Sequence, residues 1–194
     1  MNKITVIDYG AGNLASVNYA LKRLGAEVEL TANRDALLKA SKVIFPGVGH
    51  AATAMETLRA NGLDCVIPEL KVPVLGICLG MQLMCSYSEE GEVNGLNIFP
   101  ERVIHFAPGL KVPHMGWNAI TRLKGPLFSG MEETANVYFV HSYFVPAIRE
   151  TVAVAEYGVS FSAALQKNNF FAVQFHPEKS GATGEQILRN FIKL

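Results

Sequence analysis

In the first half of the chain, short unbroken apolar runs alternate with stretches whose apolar positions recur at helical spacing. The first run, Lys3-Ile4-Thr5-Val6-Ile7-Asp8, is rich in β-branched residues and stops at Gly10-Ala11-Gly12-Asn13; Leu14, Val17, Leu21 and Leu24 then line one helical face. A second short strand is predicted over Val28 to Leu30, a helix over 34 to 40, and a third strand at Val43-Ile44-Phe45 that ends in Pro46-Gly47-Val48-Gly49. Helical patterns follow over about 50 to 60 and 62 to 70, and Val72 onward reads as a buried strand that turns at Cys78 into another helix. Continuously apolar strands that alternate with helices predict a parallel sheet covered on both faces. Ligands of such sheets bind beyond the carboxyl ends of the strands, where the loops 9 to 13 and 46 to 50 and the turn at Cys78 fall.

From about residue 94 the pattern changes to strands joined by turns: Val103-Ile104-His105-Phe106, Trp117 to Ile120, Asn136 to Val140, Thr151 to Ala155 and Phe170 to Phe175. These predict a partly antiparallel extension. A last amphipathic helix over about 183 to 193 presents Ile187, Leu188, Phe191 and Ile192 on one face, to pack back on the sheet. The expected architecture is α/β in a single domain over residues 1 to 194, with no internal repeat and no linker-like tract.

Composition narrows the function classes. A chain of 194 residues can bury about 70% of its unfolded surface around one core, and needs neither metal nor disulfides to do so. With 17 basic and 17 acidic side chains it has no electrostatic footprint for nucleic acid. Three cysteines without metal-ligand spacing suit a reducing compartment, and the N-terminus lacks the pattern of a secretory signal, so a cytoplasmic protein is expected. The longest apolar stretch, around Cys78, is broken by Gln82 well short of the roughly 20 residues of a membrane helix.

The chemistry centres on Gly76-Ile77-Cys78-Leu79-Gly80. Glycines two residues either side of a cysteine let strand and helix approach closely around a strained turn that exposes the side chain between them. A helix N-terminus there favours the thiolate. The plainer alternative is a packed strand with a buried cysteine. Phe175-His176-Pro177-Glu178 closes an apolar strand, and residues two apart in extended chain project to one side, so Glu178 can orient His176. Cysteine, histidine and acid are the parts of a nucleophilic triad. A histidine at a strand end is also a common surface or core residue, so the weight lies in its combination with the cysteine elbow.

Gly76-Ile77-Cys78-Leu79-Gly80-Met81-Gln82, Pro46-Gly47-Val48-Gly49 and Gln174-Phe175-His176-Pro177-Glu178 resemble the three signatures of class I glutamine amidotransferases, across nearly the whole chain. Asp8 to Leu14, Pro113-His114-Met115-Gly116-Trp117-Asn118 and Tyr138-Phe139-Val140-His141-Ser142-Tyr143 are similar to one branch of that family, the glutaminase subunits of imidazole glycerol phosphate synthases. The resemblance implies a flavodoxin-like fold and no cofactor or metal. It implies that Cys78 attacks the side-chain amide of glutamine, that His176 shuttles protons and that Glu178 orients His176. The oxyanion donors would be backbone N–H groups of Leu79 and of Val48 or Gly49; glycines at 47 and 49 permit unusual dihedrals, so that loop is either a conditional source of its donor or a simple strand-ending turn. Gly47, Gln82, Glu90, Ser142 and Tyr143 would contact glutamine. The implied partner is a cyclase subunit in a tight heterodimer, faced by Asn13, Trp117, Asn118, Tyr138 and Lys179. Phe144 departs from the polar residue that related subunits often carry and is given no role.

Three other readings stand beside this one. Gly10-Ala11-Gly12-Asn13-Leu14-Ala15 follows a strand, opens a helix and has Glu29 further on, as in a dinucleotide-dependent oxidoreductase. A non-catalytic module that kept the fold is the second. A stand-alone cysteine hydrolase, or the glutaminase of another pathway, is the third.

Overall fold

The computed structural model describes residues 3–10 and 13–194. Thirteen strands and six helices are assigned among the described residues. The first strand, β1 (Lys3–Ile7), is followed by α1 (Leu14–Arg23), where the Asn13 side chain accepts the Ser16 N–H at 3.3 Å and so satisfies an otherwise free helix donor. Next come β2 (Glu27–Thr31), α2 (Arg34–Leu38), β3 (Val43–Gly47), α3 (Ala51–Ala60) and α4 (Leu63–Val66). The elbow joins β4 (Val74–Cys78) to α5 (Leu79–Leu83). Beyond it run β5 (Cys85–Ser88), β6 (Val93–Asn94), β7 (Phe99–His105), β8 (His114–Thr121), β9 (Thr134–His141), β10 (Tyr143–Phe144), β11 (Thr151–Glu156), β12 (Ser160–Lys167), β13 (Phe170–Val173) and α6 (Gly181–Lys193).

Nine strands form the main sheet in the order β2-β1-β3-β4-β13-β12-β11-β8-β9. The first five are parallel to one another and the rest antiparallel. The predicted mixed α/β sheet is therefore present. Strand periodicity divides the core into two: Ile4, Val6, Ile44, Leu75 and Ile77 pack with Val17, Leu21, Ile187 and Phe191 on one face. Ile7, Val43, Phe45 and Val74 pack with Met55, Leu58 and Leu63 on the other. The predicted stripe on α6 is buried at Ile187, Leu188, Phe191 and Ile192.

The structure departs from the predicted elements in the second half. The Val103 to Phe106 run contributes to β7, which lies in a separate four-stranded sheet, β10-β7-β5-β6, and not in the main one. α5 is only five residues long, because the chain must turn at Met84 to enter that small sheet. β12, unforeseen, brings Phe170 to Val173 alongside β4 by returning antiparallel to it on the far side.

Candidate active site

Cys78 ends β4 with φ 54° and ψ −110°, in a region that residues with a side chain rarely adopt. Such strain persists only where the surroundings over-determine it. Two glycines meet that condition. A methyl group on Gly80 would collide with the Phe45 carbonyl oxygen of β3, and one on Gly76 would come within 2.9 Å of Met84 Sδ and 3.0 Å of the Met81 nitrogen. Helix backbone thus packs directly on strand backbone, as the spacing predicts.

His176 arrives from the neighbouring strand. β13 pairs parallel to β4 with Val173 opposite Ile77, so the chain leaves both strands at the same sheet edge. The His176 N–H donates to the Tyr138 carbonyl at 2.9 Å, and Ser180 Oγ accepts the Tyr138 N–H at 3.0 Å while donating to the His176 carbonyl at 2.6 Å. His176 Nδ1 lies 2.9 Å from Glu178 Oε1, and both side chains are buried. The expected pairing is present, but not by extended chain: Pro177–Lys179 is a 3-10 turn, and Glu178 reaches the ring by curling back beneath it. Burial lowers the proton affinity of His176, yet the flanking Cys78 sulfur and Glu178 carboxylate outweigh it and hold its pKa up at about 10. Nε2 has no closed hydrogen bond among the described residues, and the Cys78 sulfur nearby is the group that raises its proton affinity most.

A buried amide network sits under the nucleophile. Gln82 Nε2 donates to the Tyr143 carbonyl and to Gln174 Oε1, each at 2.9 Å, and Gln174 Nε2 donates to Cys78 Sγ at 3.8 Å. Both N–H groups of Gln82 are thereby engaged. Its Oε1 is what it can offer a ligand. The Tyr143 carbonyl also accepts from His141 Nδ1 at 2.7 Å, and His141 Nε2 lies 3.0 Å from His114 Nδ1. Burial pushes His141 down to about 3 and His114 down to about 4, so this pair is neutral and forms an oriented chain. The sequence motifs that contain Gln174, His114 and His141 predict no role for them. Only the fold places them together.

A cavity of about 290 Å³ is lined by Val48, Gly49, Cys78, Leu79, Gln82, Glu90, His141, Ser142, Tyr143, His176 and Lys179. The structure thus brings together most of the predicted site. Gly47 is buried one step behind the wall, where a side chain would meet Leu79, Gly80 and Tyr9. Glu90 Oε2 accepts the Ala51 N–H at 2.8 Å, tying its turn to the start of α3 just beyond the Gly47-Val48-Gly49 loop. Of the residues expected to face a partner, Trp117 is 59% exposed with its ring 6.1 Å from that of Tyr138, and Lys179 is exposed at the cavity rim. Asn118 and Asn13 are half-buried and hydrogen-bonded within the chain, Asn118 to the Glu156 carbonyl at 2.9 Å and Asn13 as the cap of α1. The glycine-rich rival motif includes residues 11 and 12, which lie outside the described residues; its Glu29 is paired with Lys3 at 2.8 Å.

Comparison with known proteins agrees with this geometry. The family model "Glutamine amidotransferase class-I" matches residues 5–194. The imidazole glycerol phosphate synthase subunit HisH of Bacteroides thetaiotaomicron is 57% identical over 195 residues, covering 99% of this chain and 100% of that protein. The subunit of the same name from Xanthomonas axonopodis pv. citri is 46% identical, covering 100% and 98%. Among solved structures, a glutamine amidotransferase superposes with a TM-score of 0.76 at 18% identity, covering 97% of each chain, which speaks to the fold. The chain belongs to the class I glutamine amidotransferase family, on the branch formed by the HisH subunits of imidazole glycerol phosphate synthase.

Proposed function

We propose that the chain is the glutaminase of an imidazole glycerol phosphate synthase: it hydrolyses L-glutamine to glutamate and ammonia, and a cyclase subunit bound at the cavity mouth takes up the ammonia for histidine biosynthesis. The observation that carries the site assignment is the placement of Cys78 and the Glu178-paired His176 at the ends of adjacent parallel strands over one cavity. The whole chain works as one glutamine amidotransferase domain. Its three free cysteines fit a reducing, cytoplasmic setting.

Gln82 Oε1 and the Glu90 carboxylate accept from the α-ammonium of glutamine, and backbone at Ser142 and Tyr143 holds the α-carboxylate. Cys78 Sγ attacks the side-chain amide carbon, and the carbonyl electron pair moves onto oxygen. Leu79 N–H and a second N–H from Val48 or Gly49 stabilise that oxyanion; losing one such donor typically costs about 3 to 4 kcal/mol. Collapse expels the amide nitrogen, which leaves as ammonia with the proton of His176. In the thioester the sulfur no longer carries charge, so its upward push on His176 disappears. The same ring, now neutral, removes a proton from water, and collapse of the second tetrahedral adduct returns glutamate and the free sulfur.

Two arms test this in the complex of the full chain with its cyclase subunit. Cys78→Ala is expected to abolish ammonia release, and release that survives it overturns the site. The cyclase subunit is expected to raise glutamine hydrolysis by the unaltered chain; indifference overturns the subunit assignment.

A further inference from the structure

Behind the Gly47-Val48-Gly49 loop lies a donor that the reaction above does not use. Tyr9, two residues past the end of β1, is 3% exposed, and its ring packs on Phe45 with centroids 5.6 Å apart. Its hydroxyl is fully buried and has no hydrogen-bond partner among the described residues. A methyl group on Gly47 would meet Tyr9 Oη, Leu79 Cβ and the Gly80 nitrogen, each at 2.9 Å. The hydroxyl therefore sits where the two segments that carry the oxyanion donors touch. Burial, with Cys78 nearby as a second cause, raises the proton affinity of Tyr9 above the ordinary phenol, so it is a neutral donor throughout the working pH range.

The two neighbouring backbones differ in what they can do. The Leu79-Gly80 peptide is held in α5 and pressed against the Phe45 carbonyl. The Gly47-Val48 peptide leads out of β3 into exposed chain, with Gly49 at φ 102°. A trans peptide carries its C=O and N–H on opposite sides. If the Gly47 carbonyl turns back to accept from Tyr9, the Val48 N–H of the same peptide turns outward, toward the cavity that Val48 lines.

We infer that Tyr9 is a positioning residue: its hydroxyl donates to the Gly47 carbonyl when the Gly47-Val48 peptide turns, and so latches the Val48 N–H in the orientation that completes the oxyanion hole. The inference rests on the reading of Cys78 as nucleophile and of this loop as the source of the second donor.

Tyr9→Phe keeps the ring and its packing and removes only the hydroxyl. In the assembled complex it is expected to lower kcat for glutamine hydrolysis about tenfold, the scale of one net hydrogen bond, with KM for glutamine within twofold of the parent. The thermal midpoint stays level or rises, and alkylation of Cys78 by iodoacetamide, which forms no oxyanion, keeps its rate. A kcat within twofold of the parent overturns the latch, as does a fall in kcat accompanied by a lower midpoint, slower alkylation or a raised KM. Cys78→Ala is run alongside: if it stays inactive while Tyr9→Phe is unaffected, the latch alone fails, whereas activity in Cys78→Ala removes the site reading itself.

Discussion

Gln174 is fully buried, with its amide nitrogen 3.8 Å from the Cys78 sulfur and its amide oxygen held by Gln82 at 2.9 Å. The second contact fixes which way the amide faces, because Gln82 brings a donor and only the oxygen of Gln174 can receive it. On the proposed mechanism the sulfur gains and loses charge during turnover, and a hydrogen bond to a charged group is worth about 1.5 to 3 kcal/mol. Gln174→Leu is therefore expected to lower kcat/KM by roughly ten- to hundredfold in steady-state kinetics. Gln174→Glu, similar in shape but presenting a carboxylate to the sulfur, is expected to lower it further. If Gln174→Glu is the more active of the two, the donor role is wrong. At this scale the turn at Cys78 was legible in the sequence, because glycine spacing constrains local backbone and local backbone is what sequence patterns report; the closeness of His176 and Glu178 was legible from their separation by two residues, and Gln82 came from the family resemblance alone. Gln174 and Tyr9 were not legible. Gln174 meets Cys78 across 96 residues of chain, and Tyr9 meets Gly47 only through the β1-β3 pairing.

Among the elements, β8 and β9 form a long antiparallel pair that sets His114 directly opposite His141. Burial holds both rings neutral in the folded chain, at about 4 and about 3, against about 6.5 when the chain unfolds. The unfolded state binds those protons first, so stability present above about pH 6.5 is lost as pH falls toward 4 and below. His176 works in the opposite sense: its raised value gives stability that is complete below about 6.5 and is lost as pH rises through about 10. Denaturant midpoints between pH 7 and 4 are expected to fall less steeply for His114→Asn than for the parent, and parallel slopes would rule out this origin. The long strands and α6 announce themselves by periodicity. The small sheet does not, because β6 and β10 are two residues each and too short to show an alternation. β12, Ser160 to Lys167, is rich in serine and alanine, which signal strand weakly, and it forms because β11 and β13 on either side supply its hydrogen bonds.

Across the molecule, large apolar side chains that a free surface does not favour are exposed on β8, where Trp117 is 59% and Met115 62% exposed, and on the cavity wall, where Val48 is 41% exposed. An exposed tryptophan and methionine on one strand fit the partner interface proposed above. Trp117→Ala is expected to weaken binding of the cyclase subunit by at least about thirtyfold in titration calorimetry, the scale of a tryptophan hot spot, while the fold of the free chain is unchanged. An effect below threefold would place the interface elsewhere. The parallel pairing of β4 with β13 then bears on how such a partner can act. Cys78 closes β4, and His176 follows three residues past β13 on a turn whose N–H is held by the Tyr138 carbonyl of β9, so both proposed catalytic groups are anchored to strands of one sheet. A partner that docks as proposed has little leverage on that pair. On the proposed mechanism its binding free energy is expected to act on the few residues past β3, so that nucleophile and base stay assembled while the stabilisation of charge is left open to command.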